Sequence, residues 1–395
     1  MSLGKRQKKM SEKQNSIVNN SVEIGEKKME EKRRKIKVAI AGVGNCASSL
    51  VQGISYYSKN KDGFGLMHKD IKGYTPADIE IVAAFDIDKR KVGKPLREAI
   101  FQKPNCTFVF EREIINGDVE VMMGPILDGI PEHMKDYPED RRFIPADKKP
   151  VDVAKVLKET GAEILVNFVP VGAENAARFY AEECLKAGVS FVNCMPVFIV
   201  SDPKFAERFK KEGIPVAGDD IKSQLGATIL HRAIVNLFRM RGVFLEQTYQ
   251  LNFGGNTDFL NMLDRQRLKT KKISKTQAVA SISGQEIPED KIHIGPSDYV
   301  PFLNDTKICY IRVEGKGFGG APILIDVKLQ VEDSPNSAGV VIDVIRLIKV
   351  ARDEGIGGPI YSVSAFAMKH PPIQMTDEEA YKIIQDYLEG KGKLW

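Results

Sequence analysis

The segment from residue 252 to residue 275 combines glycines, polar side chains and closely spaced lysines. It contains NFGGNTDFLNMLDRQRLKTKKISK, and its glycine pair allows the backbone to approach a ligand closely. Asn256 and Asp258 follow the glycines and could hold hydroxyl groups or orient an ammonium group. Lys271 and Lys275 are four residues apart, which in a helix places both ammonium groups on one face. Two cations on one face repel each other unless an anion lies between them, so the segment predicts a site for a phosphorylated ligand.

A second glycine-rich segment lies between a predicted strand and a predicted amphipathic helix near the N-terminus. The strand Lys37–Ala41 leads directly into GVGNCA, residues 42–47. In this GxGxxA pattern Gly42 permits a tight turn, Gly44 permits close approach of a pyrophosphate, and Ala47 lets the helix pack against the sheet. The pattern in this context predicts dinucleotide binding, and a dinucleotide-like fold without a cofactor is the alternative.

The next predicted strand, Ile79–Asp86, ends in an acidic residue at the point where the ribose of NAD would be held. Asp86 lies farther along the chain than is usual, because a Lys-, Gly- and Asp-rich insert, Lys59–Pro76, intervenes. A carboxylate at this point would repel the 2′-phosphate of NADP. The sequence therefore predicts NAD as the cofactor.

Strands and helices then alternate along the chain. The predicted elements are the helix Asp152–Thr160, the strand Ile164–Val169, the helix Ala173–Ala187, the strand Val189–Val192, a helix from Ser201-Asp202-Pro203 to Gly213, the strand Val216–Ala217 and the helix Ala227–Met240. This order predicts a Rossmann-type, doubly wound parallel sheet with helices on both faces, in the α/β class. Ligands bind at the carboxyl ends of such strands, where the loops 170–172, 193–196 and 218–224 begin. The third loop, GDDIKSQ, carries two acids and a lysine and is predicted to be functional, although a capping turn for the following helix is the alternative.

Beyond Gly242 the pattern changes to extended segments. These are Phe244–Phe253, Ile308–Val313 and Ile323–Val331. They predict a second α+β domain built on a mainly antiparallel sheet, which we expect to pack on another subunit because no sequential helices cover it. A helix, Ala338–Asp353, follows this sheet and is predicted to return to the first domain.

Composition limits the class of protein. The 395 residues are 43% hydrophobic and 28% charged, which is typical of a globular chain. Much of the basic excess behind the net charge of +5 lies in the first 35 residues, whose lack of apolar periodicity predicts a solvated tail rather than a nucleic-acid or membrane arm. No apolar run approaches the roughly 20 residues of a membrane span, and no signal peptide is evident. Scattered cysteines without a CxxC pair predict a reducing cytoplasm, and the histidine spacing argues against a preformed zinc site.

Segments spread over about residues 36–373 resemble, in order, the myo-inositol-1-phosphate synthase family. They are GVGNCASSLVQG, MPVFIVSDP, GDDIKSQLGAT, GGNTDFLNML, KKISKTQAV, HIGPSDY, EDSPNSAG and GIGGP. The chain is most similar to the shorter actinobacterial and thermophile-type enzymes. The resemblance implies an NAD-dependent isomerisation of D-glucose 6-phosphate to 1L-myo-inositol 1-phosphate, the first step of inositol phospholipid biosynthesis. The steps would be oxidation at C5, enolisation, intramolecular aldol closure and reduction, with no net redox change.

Matching the motifs to this sequence gives a set of candidate site residues. The candidate catalytic residues are Lys271, Lys275, Lys307, Lys369, Asp220, Asp258, Asp333 and Asn256. The candidate cofactor-binding residues are Gly42, Gly44, Asn45, Cys46, Ala47, Asp86, Pro170, Tyr180, Asp220 and Ser223. We expect Lys307 and Lys369 near the reacting carbons, and Lys271 and Lys275 on the phosphate and an oxyanion. A lysine crowded by other lysines is expected to have a lowered pKa and to move protons.

The resemblance also implies an assembly and leaves some points open. It implies a homotetramer built through the second sheet, with an NAD-binding domain at 35–241 with 336–395 and a catalytic and tetramerisation domain at 242–335. The tail at 1–34 lies outside the resemblance and is predicted to be disordered from its composition. Family members differ in using a monovalent or a divalent cation, for which Asp333 beside the NAD phosphates is a candidate position. Two other functions remain open, a net sugar-phosphate dehydrogenase and a non-enzymatic NAD-binding regulator.

Overall fold

The computed structural model describes residues 35–264 and 269–395, and at residues 269–272, 275, 296 and 297 it describes the backbone alone. The strands are β1 Ile36–Ala41, β2 Ile79–Asp86, β3 Val121–Met123, β4 Ile164–Asn167, β5 Ser190–Asn193, β6 Pro215–Val216, β7 Phe244–Gly254, β8 Ile292–Tyr299, β9 Thr306–Lys316, β10 Pro322–Glu332 and β11 Gly358–Pro359. The helices are α1 Asn45–Lys59, α2 Leu96–Ala99, α3 Val153–Thr160, α4 Glu174–Ala187, α5 Pro203–Lys211, α6 Ala227–Met240, α7 Thr257–Asn261, α8 Lys269–Ala280, α9 Asp333–Asp353, α10 Tyr361–Ala367 and α11 Asp377–Leu388.

Five strands form the first sheet, in the order β3-β2-β1-β4-β5 and all parallel. β4 and β5 are buried along their whole length and β1 at every residue but Lys37, because helices cover both faces and leave no solvated side for polar residues. α1 and α9 contribute to the core on one face, and α3 and α4 contribute to the core on the other. The predicted doubly wound parallel sheet is confirmed.

Local capping chemistry fixes the helices around this sheet. The Asp152 carboxylate accepts a hydrogen bond from the backbone N–H of Lys155, so Asp152 caps α3 rather than forming its first residue. Asp202 caps α5 in the same way ahead of Pro203, as its sequence predicts. Gly188 ends α4 in the left-handed conformation, with φ 72°.

The second sheet has the order β10-β9-β7-β8. β9 pairs antiparallel with both β7 and β10, whereas β8, which the sequence analysis did not identify, lies parallel to β7. A parallel neighbour needs a crossover connection, and α7 and α8 lie within it. The expectation that no helices cover this sheet was wrong, because α6 packs on one face and shares a core with β7, β8 and β9.

Two further elements differ from their predicted bounds. α9 begins at Asp333 rather than at Ala338, because the backbone N–H of Asp333 donates to the carbonyl of Asp305 and that of Ser334 donates to the Asp305 carboxylate. The strand predicted at Val216–Ala217 is β6, Pro215–Val216, which pairs with β11, while Ala217 forms a parallel bridge to Val192 of β5. The earlier start of α9 brings Asp333 to the edge of the site described next. Among the described residues, no helix combines the length and the apolar character needed to cross a membrane.

Candidate functional site

One cleft lies at the carboxyl ends of the strands of the first sheet and reaches the second sheet. It collects most of the residues predicted from the sequence. Those that line it are Gly42, Gly44, Asn45, Cys46, Asp86, Pro170, Tyr180, Asp220, Ser223, Asn256, Asp258, Lys307, Asp333 and Lys369. Ala47, in the first turn of α1, is fully buried in the core, as expected for a residue that brings a helix close to the sheet. Lys271 and Lys275 belong to α8, and their side chains lie outside the described residues.

The glycine-rich turn between β1 and α1 shows two different uses of glycine. Gly42 has φ 90°, and a Cβ there would lie 2.6 Å from the carbonyl oxygen of Phe168, so the fold itself requires glycine. Gly44 caps α1 with φ −87°, and a Cβ there would meet nothing within 4 Å. The space over Gly44 therefore serves no protein packing, and it lies at a helix N-terminus that favours an anion.

Asp86 holds the turn in place from the end of β2. Its carboxylate accepts hydrogen bonds from the backbone N–H groups of Val43, Ile87 and Asp88, at 2.7, 2.7 and 2.8 Å. The buried Lys91 ammonium also donates to the backbone carbonyl of Val43, at 2.8 Å. Asp86 thus lines the cleft as predicted, with a structural role in the turn that the sequence did not indicate.

Asn45 and Asn256 line the cleft but are largely occupied by protein contacts. The Asn45 side-chain oxygen accepts from the backbone N–H groups of Cys106 and Thr107. The Asn256 side-chain oxygen caps α7, and its amide nitrogen donates to the Asp305 carboxylate at 2.9 Å. We therefore assign both asparagines to shaping the cleft wall.

A two-stranded clip brings Asp220 and Lys369 together. The segments 219–222 and 367–370 exchange backbone hydrogen bonds, including one from the Lys369 N–H to the Asp220 carbonyl at 2.7 Å. The Lys369 ammonium donates to the Asp220 carboxylate at 2.8 Å, and both side chains are mostly buried. Asp220 has a left-handed backbone, with φ 65°, a conformation that is uncommon outside glycine and concentrates at functional sites.

Lys307 and Asp333 form a second ion pair across the cleft. The ammonium donates to the carboxylate at 3.1 Å from β9 to the first residue of α9. Burial alone would lower the pKa of Lys307, but the neighbouring Asp333 carboxylate outweighs it and the net shift is upward. The expectation of a lowered pKa was wrong for Lys307, because its neighbour is an acid rather than a lysine.

Asp305 is a buried carboxylate that the sequence analysis missed. It accepts from the side chain and the backbone N–H of Ser334 and from Asn256. Burial, reinforced by the negative charge of Asp333, raises its pKa to about 6. The only signal in the sequence is its position two residues before Lys307, which does not reveal that it caps α9.

We expect Asp305→Asn to flatten the pH dependence of stability between about pH 4 and pH 6. The folded protein keeps a proton on Asp305 in this range that the unfolded chain has already lost, since the pKa is about 6 instead of 3.8. The free energy of unfolding of the wild type should therefore fall as the pH rises through this window, by up to about 3 kcal/mol. Urea unfolding at pH 4, 5 and 6 measures the slope, with Asp152→Asn at an exposed helix cap as control. Equal slopes in the wild type and Asp305→Asn would contradict the prediction.

Cys46 and Tyr180 line the cleft as uncharged groups. Burial raises the pKa of the Cys46 thiol to about 12, and burial likewise raises the pKa of the Tyr180 hydroxyl. Both groups therefore stay protonated at neutral pH. They can contact a ligand by packing or hydrogen bonding, without adding negative charge to the cleft.

Ser274 on α8 connects that helix to the cleft. Its hydroxyl donates to the Asp220 carboxylate at 2.7 Å, on the oxygen that Lys369 does not use. Ser274 lies inside the KKISK segment but was not singled out, because a serine between two lysines has no distinctive spacing. The contact places α8, which carries Lys271 and Lys275, beside the cleft.

The described part of the chain holds no group of three or more His, Cys, Asp or Glu side chains that could bind a metal ion. A cation at Asp333 would therefore have to find its other ligands elsewhere.

Comparisons with known proteins show which proteins this chain is similar to. The family model described as myo-inositol-1-phosphate synthase matches residues 226–334. The inositol-3-phosphate synthase of Mycolicibacterium smegmatis is 51% identical over 369 residues, which cover 92% of this chain and 100% of the relative. The crystal structure of Ari2 has a TM-score of 0.72 at 34% identity and covers 90% of this chain and 99% of that one. A myo-inositol-1-phosphate synthase-related protein from Thermotoga maritima has a TM-score of 0.76 at 27% identity, covering 91% and 100%.

Proposed function

Because the chain belongs to the myo-inositol-1-phosphate synthase family, we propose that its cleft binds NAD and isomerises D-glucose 6-phosphate to 1L-myo-inositol 1-phosphate. The family is one of isomerases, and the chain is an enzyme of this class. The observation that carries the residue assignment is the convergence of two lysine–aspartate pairs on one cleft beside a glycine-rich turn. The steps below follow from the groups that these pairs supply.

The glycine-rich turn and Asp86 form the cofactor end of the cleft in this proposal. The open space over Gly44 would take the pyrophosphate at the N-terminus of α1. Asp86 would accept from the ribose hydroxyls and repel the 2′-phosphate of NADP. NAD, when bound, supplies a hydride acceptor for C5 of the sugar and returns the hydride after ring closure.

Lys307 is proposed to stabilise negative charge rather than to remove a proton. Its raised pKa keeps the ammonium protonated at neutral pH, and a fixed cation in a mostly buried site stabilises an enolate or alkoxide as it develops. Asp333 holds the ammonium in position at 3.1 Å. Removal of the C6 proton then falls to another group.

Lys369 and Asp220 form the proton-handling pair in this proposal. The ammonium donates to the carboxylate at 2.8 Å within the same clip, so it can pass one proton to Asp220, and the amine that results can take the proton of a substrate hydroxyl or carbon. Lys271 and Lys275 on α8 would bind the phosphate. Asp258 faces the same cleft and would hold a sugar hydroxyl.

The proposal is tested by incubating the pure protein with D-glucose 6-phosphate and NAD and following the products by phosphorus NMR. We expect inositol phosphate to form while the nicotinamide absorbance shows no accumulation of NADH, because the hydride returns to the product. NADH that rises in proportion to turnover would instead identify a net dehydrogenase. NAD binding without any turnover, across several added cations, would identify a regulator.

The second sheet is proposed as the subunit interface of a tetramer. β10 is an edge strand, and the sheet face opposite α6 exposes Tyr249, Tyr310 and Leu324, at 36%, 42% and 48%. An edge strand together with large exposed side chains on one face of the same sheet favours burial against a second copy of the chain. Light scattering of the purified protein tests this, and a monomer would contradict it.

The five cysteines are free thiols, which supports a reducing, cytoplasmic environment.

A further inference from the structure

Lys222 belongs to the loop that carries Asp220 but extends away from the cleft. It is 1% exposed, and its ammonium donates to the carbonyl of Ala365 and to the Asp377 carboxylate, both at 2.7 Å. Burial lowers the pKa of Lys222 to about 8 against the opposing effect of Asp377, so the ammonium is mostly protonated at pH 7 and the ion pair is in place. A buried lysine with no contact to the cleft needs an explanation other than catalysis.

Asp377 shares its charge with Arg232. The second carboxylate oxygen accepts from the Arg232 guanidinium at 2.6 Å, and this guanidinium is also almost fully buried. Its two terminal nitrogens donate to the carbonyls of Met375 and Ala278. Lys222, Asp377 and Arg232, which we name the Lys222 cluster, thus join the Asp220 loop to α6, α11 and α8.

The connections form a closed circuit through α8. That helix is attached at Ser274, whose hydroxyl donates to Asp220, and at Ala278, whose carbonyl accepts from Arg232. The two attachment points are four residues apart, one through the Ser274 side chain and one through the backbone carbonyl of Ala278 in the last turn of the helix. From Asp220 the circuit runs through Ser274, α8, Arg232, Asp377 and Lys222 back to the Asp220 loop.

A helix held at two points one turn apart can neither rotate about its axis nor slide along it without breaking one of them. Lys271 and Lys275 lie on this helix, one on each side of Ser274. Their backbone position relative to Asp220 is therefore set by the circuit. A misplacement of about 1 Å in a positioned group can cost about 100-fold in rate.

We propose that Lys222, Asp377 and Arg232 are positioning residues that hold α8 in register with Asp220 and Lys369 for the reaction. None of the three lines the cleft, so they act through Ser274 and through the lysines of α8. This inference rests on the proposed function, because the lysines of α8 matter only if the cleft binds a phosphorylated substrate.

Lys222→Met tests the inference, since it removes the charge and keeps the length of the side chain. We expect kcat for inositol phosphate formation to fall at least about tenfold and the KM for glucose 6-phosphate to rise, because the phosphate-binding lysines move with α8, while the Kd for NAD stays within about threefold. Amide hydrogen exchange in α8 should speed up at the same time. If Lys222→Met does not fold, Asp377→Asn is the second variant, because it keeps the volume and one hydrogen bond of Asp377. It should show the same changes in kcat and in the hydrogen exchange of α8.

Lys349→Met is the matched control. Lys349 is also a buried lysine, 4% exposed, and pairs with Glu163 and Asp353, but it lies on α9 away from the cleft. It should lower stability in a similar way while leaving kcat and the exchange of α8 unchanged. A purely structural role for Lys222 would make the two variants behave alike, and that result would overturn the inference.

A double-mutant cycle adds a readout that stability alone does not move. Ser274→Ala and Lys222→Met remove two links of one circuit, so their effects on kcat should be less than additive, whereas Ser274→Ala and Lys349→Met should be additive. Additive effects in both pairs would count against the circuit. If the wild type made no inositol phosphate, the proposed function would fail, and the exchange of α8 in Lys222→Met would still decide whether the circuit holds that helix.

Discussion

Replacing Lys369 by methionine is expected to lower kcat for inositol phosphate formation about 10³-fold. The Lys369 ammonium is the cation that pairs with Asp220 across the clip, at 2.8 Å, and its side chain is 14% exposed. The substitution removes the ammonium of the proposed proton-handling pair, and the Asp220 carboxylate, 4% exposed, loses the cation that donates to it. The chemical step should therefore be slowed far more than cofactor binding.

Single-turnover measurements with phosphorus NMR, together with calorimetric titration of NAD, separate these two effects. We expect the Kd for NAD to stay within about threefold, because the glycine-rich turn and Asp86 are untouched. Lys316→Met is a suitable control, since Lys316 also pairs with a carboxylate, that of Glu246, but on the second sheet and half exposed. A kcat within tenfold of the wild type would show that Lys369 does not handle the proton in the reaction. An equal loss of NAD affinity would move its role to cofactor binding.

The parts of the fold that could be predicted from the sequence are those fixed by local chemistry. β1 and the turn after it follow from an apolar run that ends in GxGxxA, and α5 follows from Asp202 and Pro203 at its start. Each of these signals lies within a few residues of the element that it specifies. For the same reason α6 was placed at Ala227–Met240, its observed bounds.

The parts that could not be predicted depend on contacts between distant residues. α9 starts five residues earlier than expected because Asp305, far back in the chain, accepts from its first N–H groups. β8 lies parallel to β7 only after the crossover that contains α7 and α8 has folded. Lys222 meets Asp377 across 155 positions of sequence, and no spacing rule relates them.

In the candidate site, too, some features follow from local sequence and others depend on contacts between distant residues. Lys307, Asp333, Lys369 and Asp220, which the motif match selects because each belongs to a segment with a distinctive pattern, all line one cleft. It gave the wrong direction for the pKa of Lys307, because the direction depends on which charge lies beside the ammonium in space. Motifs identify which residues meet, and the partners of each residue decide its chemistry.

Replacing Gly44 by valine is expected to weaken NAD binding at least about 100-fold, the second large effect. A Cβ at Gly44 meets no protein atom within 4 Å, and its φ of −87° is open to any residue, so the chain itself tolerates a side chain there. The cost to folding should be about 1 kcal/mol, from a poorer cap of α1. The branched side chain would instead fill the space where the pyrophosphate approaches the helix N-terminus.

Substitutions at two other glycines should lower the stability of the fold rather than weaken NAD binding directly, so they serve as controls. Gly42→Ala should destabilise the fold, because its Cβ would lie 2.6 Å from the carbonyl oxygen of Phe168. Gly188→Ala should lower stability through its φ of 72° at the end of α4 and leave the Kd for NAD unchanged. Calorimetric titration with NAD and thermal unfolding separate the three variants. If Gly44→Val bound NAD like the wild type, the open space over Gly44 would not be the pyrophosphate site, and the cofactor end of the proposed cleft would have to lie elsewhere.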